Sequence, residues 1–262
     1  GVELKGWWVG APGAKGTVVM VHGLNRSRIE MLRRAPFVHR AGWNALLFDL
    51  RHHGESGGQA TTFGAHERED VKAAVRWLRA HAGEYHLDAD RLAACGGSSG
   101  ANYAAMLCVS ENVPLFEDPL LGNSGYSTSV QAAVDWFGPT DFLKMDEHLA
   151  ASGLGPCDHS KADSPESRYL GGPITEIPEK VALANPMTYV HCGMAPILIQ
   201  HGRADCLVPF QQSVEFARVI EERVGCDRFE LDLFDDAGHD DPVFDAPENL
   251  DRVFAFLDRH LM

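Results

Sequence analysis

The chain has 262 residues, enough to bury one large core and a length that α/β folds routinely organise as a single domain. Apolar residues make up 45% and charged residues 23%, the composition of a folded globular protein, which excludes disordered, collagen-like and fibrous chains. With 37 acidic against 23 basic residues, a formal charge of −14 and no run of lysine or arginine, the surface repels phosphate and nucleic acid is not an expected partner.

The opening stretch GVELKGWWVG lacks the charged-then-apolar layout of a signal peptide, and no apolar run approaches the ~20 residues of a spanning helix. A water-soluble, cytoplasmic protein without membrane contact is expected, and Gly1 reads as a trimmed or engineered start. The paired Trp7 and Trp8 most simply pack an edge strand. TVVMVH (17–22) and NALLFDL (44–50) are nearly continuous apolar runs, as expected of strands buried on both faces, with a helix-length segment between them. AHEREDVKAAVRWLRAHA (65–82) places Val71, Ala74, Val75 and Leu78 at spacings of three and four, with acids early and arginines late, and predicts an amphipathic helix.

The alternation then repeats. RLAACG (91–96) predicts a strand, GANYAAMLCV (100–109) a helix and VQAAVDWFG (130–138) a strand. APILIQHG (195–202) and RFELDLF (228–234) are strands, and PFQQSVEFARVIEERV (209–224) and ENLDRVFAFLDRHL (248–261) are helices. Strands alternating with helices imply right-handed crossovers and a mostly parallel sheet covered on both faces, with functional groups at the carboxyl ends of the strands. Residues 139–195 break the rhythm with Pro139, Gly153, Gly155, Pro156, Pro165, Gly171, Gly172, Pro173, Pro178 and Pro186. That interval is too long for a plain connection and reads as an inserted helical lid, with Ser164 as N-cap and Pro165 at the first position of one helix.

The chemistry begins at CGGSSGANY (95–103). A glycine-serine cluster is by itself a loop signal. Here it follows a strand and opens a helix, and Gly96, Ser98 and Gly100 fit the GxSxG frame of a nucleophile elbow, whereas a frame centred on Ser99 would need glycine at Ala101. Ser98 is the candidate nucleophile, and the Ser99 amide at the helix start can donate to an oxyanion. A serine needs a histidine to take its proton and a carboxylate to orient that histidine, in the order Ser, Asp, His for this elbow. HGRADCLVPF places Asp205 just past a strand, and FDDAGHDDP places His239 after the next. Asp205 as a mere turn or cap residue and His239 as a solvated loop histidine are the plainer alternatives, while Asp235, Asp236 and Asp240 are rival acids that do not follow the penultimate strand. VMVHGLNRSR supplies the second oxyanion donor in the Leu24 amide, with Asn25 or its backbone as an assistant.

Cys95, Cys108, Cys157, Cys192, Cys206 and Cys226 lie far apart without a CxxC pair, which fits neither a zinc site nor a disulfide scaffold, so most are expected to be buried thiols. Only His52 and His53 are adjacent among the 13 histidines, no HxxxH or HExxH occurs, and no metal site is expected.

With HG-Leu24 at 22–24, GxSxG at 96–100, HGRADCLVP at 201–209 and AGH at 237–239, the chain resembles the α/β-hydrolase superfamily over nearly its whole length. From about residue 96 onward VQAAVDWFGPTDFL, DSPESRYLGGPI and ANPMTYV resemble bacterial acetyl and feruloyl esterases related to hormone-sensitive lipase. The resemblance implies cleavage of small acyl esters or of ester decorations on plant polysaccharides, without a cofactor. The first 90 residues depart from that subfamily: HGLNRSR stands in place of an HGGG loop. FDLRHHGESGG and TTFGAHEREDVKAAVRWL are more similar to general bacterial α/β-hydrolases of the DLRGHGES type, with His52 in place of glycine. A natural or built chimera is one reading of that mixture.

The leading expectation is a serine carboxylesterase acting on a small-molecule ester through Ser98, His239 and Asp205. A peptidase resembling the catalytic domain of prolyl oligopeptidases and an inactive hydrolase-fold binding protein are the alternatives. Trp136, at the end of a strand near the site, is a candidate substrate contact beside Asn25, with a place in the core as its plainer reading.

Overall fold

The structure, a computed structural model, describes residues 1–61, 66–111, 113–116, 118 and 121–262. Among them, β1 (Gly6–Val9), β2 (Thr17–Val21), β3 (Asn44–Phe48), β4 (Leu92–Gly97), β5 (Ala132–Trp136), β6 (Ile197–Gly202) and β7 (Phe229–Phe234) form one seven-stranded sheet. The strand order is β1-β3-β2-β4-β5-β6-β7. Every neighbouring pair is parallel except β1 with β3, where Trp7 lies opposite Leu47 on the expected edge strand.

The helices in chain order are α1 (Arg28–Leu32), α2 (Ala35–Arg40), α3 (Glu67–Ala80), α4 (Ala82–Tyr85) and α5 (Ser99–Val109). They continue with α6 (Met145–Ser152), α7 (Pro165–Leu170), α8 (Pro178–Ala184), α9 (Gln211–Arg223) and α10 (Pro247–Leu261). Ala65, the first residue of the predicted 65–82 helix, lies outside the described residues, as do positions 62–64 of the TTFGAHEREDVKAAVRWL stretch.

Side chains alternate along each strand, and the two sets find different partners. Val18 and Met20 of β2 join Met31 of α1, Val38 of α2 and Val253 of α10. Val19 and Val21, on the other face, join Val71, Val75 and Leu78 of α3. Burial on both faces is why these strands read as unbroken apolar runs.

The turn after β3 is tied by one buried carboxylate. Asp49 accepts from the Arg28 amide at 2.7 Å, from Arg28 Nη1 at 2.6 Å and from the Glu55 amide at 2.9 Å. His52, at the position where the resembled sequences carry glycine, has φ +56°, a left-handed conformation that histidine tolerates better than most residues.

Between β5 and β6 the chain forms α6, α7 and α8 with short 3-10 turns, and Ser164 caps α7 by accepting the Ser167 amide at 3.0 Å. Asn102 of α5 holds this segment at three places. Its Nδ2 donates to Pro139 O at 2.9 Å and Ala184 O at 3.3 Å, and its Oδ1 accepts from the Tyr169 hydroxyl at 3.2 Å.

The expectation of mostly buried thiols is corrected: Cys95 on β4 and Cys108 on α5 are buried, whereas Cys157, Cys192, Cys206 and Cys226 are exposed. Those four lie outside the helices and strands whose faces form the core. No described helix is long and apolar enough to cross a membrane. No cluster of three or more His, Cys, Asp or Glu among the described residues is arranged to hold a metal ion.

Replacing Asn102 with leucine removes partners from buried polar groups in three segments at once. The midpoint of urea unfolding is expected to fall by the equivalent of at least about 2 kcal/mol. A midpoint within error of wild type would show that the insertion is held by other means.

Candidate active site

β4 runs into α5 with a single residue between them, and that residue is Ser98, at φ +56° and ψ −126°. Two glycines make so sharp a turn sterically possible. A Cβ on Gly96 would stand 2.2 Å from Gly100 O, and a Cβ on Gly100 would stand 2.3 Å from Val21 O and 2.7 Å from His22 O. The Ser98 amide donates to Trp136 O at 3.0 Å, so β5 holds the turn from its other side.

Asp205 follows β6 by three residues and is fully buried. Its Oδ1 accepts the Leu207 and Val208 amides, each at 2.8 Å, which is the turn role that stood as its plainer alternative. Its Oδ2 lies 2.7 Å from His239 Nδ1 and 3.3 Å from His201 Nε2. Burial works against the charge of this carboxylate, but hydrogen bonds from His201 and His239 outweigh it and hold the group well below the usual carboxylate range. His239 sits in the loop after β7, with the ring of Phe137 edge-on at 4.8 Å between centroids.

Ser98 and His239 line the same cavity, of about 260 Å³. No hydrogen bond joins Ser98 to His239 among the described residues, and such contacts commonly tighten only when substrate arrives. Leu24 and Ser99 line the same cavity, and among the described residues no protein acceptor takes either amide. The rest of the lining is mostly apolar, with Phe137, Phe142 and Tyr169 prominent, and Asn25 is part of it.

Trp136 is not brought to the site. It is 1% exposed, its indole N–H donates to Gln200 at 2.9 Å, and the Arg34 guanidinium lies 4.5 Å from its ring centre. It shares a strand face with Ala132 and Val134, and the next residue, Phe137, reaches the cavity instead. The rival acid Asp235 lies on the surface against Arg203, while Asp240 lines the cavity rim and is paired with Arg33.

His22, just past β2, opens the HG motif, and its side chain has no role assigned from the sequence. Its Nε2 accepts the Leu50 amide at 3.0 Å, so its proton is on Nδ1, which donates to Gly23 O at 2.8 Å. Burial pushes its pKa down to about 4, with His53 adding to the effect.

A family model described as BD-FAE matches residues 50–220, more than half of the chain. The chain belongs to the BD-FAE family. The part of this BD-FAE chain that matches runs across residue 90 and takes in Ser98 and Asp205. The probable carboxylic ester hydrolase LipM of Mycobacterium tuberculosis is 29% identical over 153 residues, 58% of this chain and 33% of that protein. Esterase LipQ of the same organism is 31% identical over 153 residues, 58% of this chain and 34% of that protein. The chain therefore spans about a third of the length of the curated relatives it matches.

Among solved structures, a truncated carbohydrate esterase from gut microbiota superposes with a TM-score of 0.80 at 24% identity, covering 98% of this chain and 90% of that one. The Pyrococcus furiosus esterase PF2001 superposes with a TM-score of 0.72 at 28% identity, covering 100% of this chain and 87% of that one. The BD-FAE chain thus has the fold of the α/β-hydrolase esterases.

A histidine with pKa near 4 in the fold and about 6.5 unfolded stays neutral while the unfolded chain takes up a proton. His22 therefore costs stability as pH falls from about 6.5 towards 4, by up to roughly 3 kcal/mol. Urea midpoints across that range are expected to drop less steeply in His22→Asn than in wild type, whatever the variant's starting stability. Parallel curves would place the acid sensitivity elsewhere.

Proposed function

We propose that this protein is a serine carboxylesterase that works through an acyl-enzyme on Ser98. The observation that carries the reading is the pairing of a serine at a left-handed strand-to-helix turn with His239, which lines the same cavity and is held at Nδ1 by the buried Asp205. The names of the relatives, as carboxylic ester hydrolase and esterase, support the same reaction.

In this reading His239 Nε2 takes the proton of Ser98 as Oγ attacks the ester carbonyl, and the negative charge moves to the carbonyl oxygen. The Leu24 and Ser99 amides receive that charge, since neither is committed to an acceptor among the described residues. His239 then protonates the departing alcohol, leaving the acyl group on Ser98. Water enters, His239 accepts its proton, and a second tetrahedral intermediate collapses to free acid and Ser98. Asp205 remains ionised throughout, which keeps His239 in the tautomer with its proton on Nδ1 and stabilises the imidazolium.

The cavity suits a small acyl group, because its volume is modest and its walls are largely apolar. Acetyl and feruloyl esters of plant polysaccharides are the substrates that the sequence resemblance favours.

A fluorophosphonate probe with peptide mapping tests the reading. A single adduct on Ser98 is expected in wild type and none in Ser98→Ala, whose kcat on p-nitrophenyl acetate should fall by a factor on the order of 10⁴ or more. No adduct, or an adduct on Ser99, would sink it. Cleavage of a prolyl peptide anilide with no action on esters would put the peptidase reading in its place.

A further inference from the structure

Glu30 lines the cavity but has no part in the ester chemistry described above. It belongs to α1, and its side chain is only 15% exposed. Oε2 accepts the Gly23 amide at 2.7 Å, and Oε1 lies 3.8 Å from Arg26 Nε. A Cβ built on Gly23 would lie 3.6 Å from this Oε2 and 3.6 Å from Ser98 Cβ, so the carboxylate and the nucleophile flank the same residue.

The two peptide units around Gly23 are each held at one end. In a trans peptide the C=O and N–H point in opposite directions. His22 Nδ1–H holds Gly23 O, which fixes the Gly23–Leu24 unit and turns the Leu24 N–H away from His22. Glu30 holds the N–H of the His22–Gly23 unit, whose carbonyl closely approaches Gly100 of α5. Glycine has the widest backbone freedom of any residue, so without these anchors the loop could rotate and carry the Leu24 amide off the site.

We propose that Glu30 is a positioning residue for the oxyanion hole, its carboxylate pinning Gly23 so that the Leu24 amide stays aimed at the carbonyl oxygen of an ester attacked by Ser98. The inference rests on the esterase reading. Its chemistry is that of an acceptor rather than of a charge, because a negative group beside a developing oxyanion opposes it. Burial, helped by Asp240, raises the pKa of Glu30, against the Gly23 amide, Arg34 and Arg26. Glutamine offers the same acceptor without the charge and should serve as well.

The test compares wild type, Glu30→Ala and Glu30→Gln on p-nitrophenyl acetate, with fluorophosphonate labelling of each. Glu30→Ala is expected to lose roughly 10- to 100-fold in kcat, because a displaced oxyanion donor acts on the transition state. KM should stay within about threefold of wild type, since ground-state binding is untouched, and Glu30→Gln should keep kcat within about threefold. Wild-type kcat in Glu30→Ala, or an equal fall in both variants, overturns the proposal. Should Glu30→Ala not fold, Glu30→Asp keeps the charge but withdraws the acceptor, and must lose kcat in the same way; full activity there overturns the proposal. A wild type that neither labels nor hydrolyses esters overturns the esterase reading and this one with it. An active wild type beside an unaffected Glu30→Ala overturns this one alone.

Discussion

The close approach of α5 to the ends of β2 and β4 is the constraint on which the site depends. There is no room for a side chain at position 96 or 100: the atoms in the way are backbone, which cannot swing aside. With glycine at both positions the chain turns from strand to helix across one residue, and Ser98 takes a conformation that L-residues rarely adopt. Such strain persists only where the surroundings over-determine it. Here β5 supplies part of that hold through the Ser98 amide, and the helix that follows is buried along most of its length.

Electrostatics organises the second half of the site. Asp205 is removed from water yet ionised, because its two oxygens accept from two amides and two imidazoles. A buried carboxylate without those partners would be protonated and could not orient His239. His201 contributes from within β6, with Nδ1 at 2.7 Å from Ser213 Oγ and Nε2 at 2.9 Å from Val208 O. The histidine of the HGRADCLVP motif therefore belongs to the framework that holds the acid. His22 has the corresponding place at the end of β2, where a neutral imidazole joins the HG loop to the strand beside it.

Much of this was legible in the sequence, for reasons that differ from residue to residue. The strands show as apolar runs because both faces of a parallel sheet are covered, and Ser98 stands out because only one frame in GGSSG has glycine on both sides. Asp205 and His239 follow from chain order and from their places after strands. Glu30 was invisible, since an acid in the first turn of a helix is ordinary and nothing local says that its partner is an amide seven residues back. Asn102 was hidden in the same way, because its three partners lie 37, 67 and 82 residues away. The plainer reading of Trp136, a place in the core, holds, and the strand's period of two supports it by putting Trp136 on one face with Ala132 and Val134. The exposed cysteines also had a signal, since each falls outside the predicted helices and strands.

The cavity has a floor and a wall of separate origin, and that separation bears on what the fold can be made to accept. The floor is the arrangement of Ser98, His239 and Asp205 at the strand ends, fixed by glycine contacts and buried hydrogen bonds that leave little freedom to change. The wall comes largely from the insertion, through Phe142, His159, Pro165, Glu166 and Tyr169. Within it His159 and Glu166 stand 3.0 Å apart. Burial disfavours the charged histidine, but Glu166, Asp146 and Asp158 outweigh that and raise its pKa. This pair puts two polar groups into a wall otherwise made of Phe142, Pro165 and Tyr169. Since Asn102 holds this segment on the helix that begins beside Ser98, the wall is referenced to Ser98 itself. Residues of the wall can change while that hydrogen-bonded joint is kept, so the shape of the cavity and the geometry at Ser98 are set by separate residues.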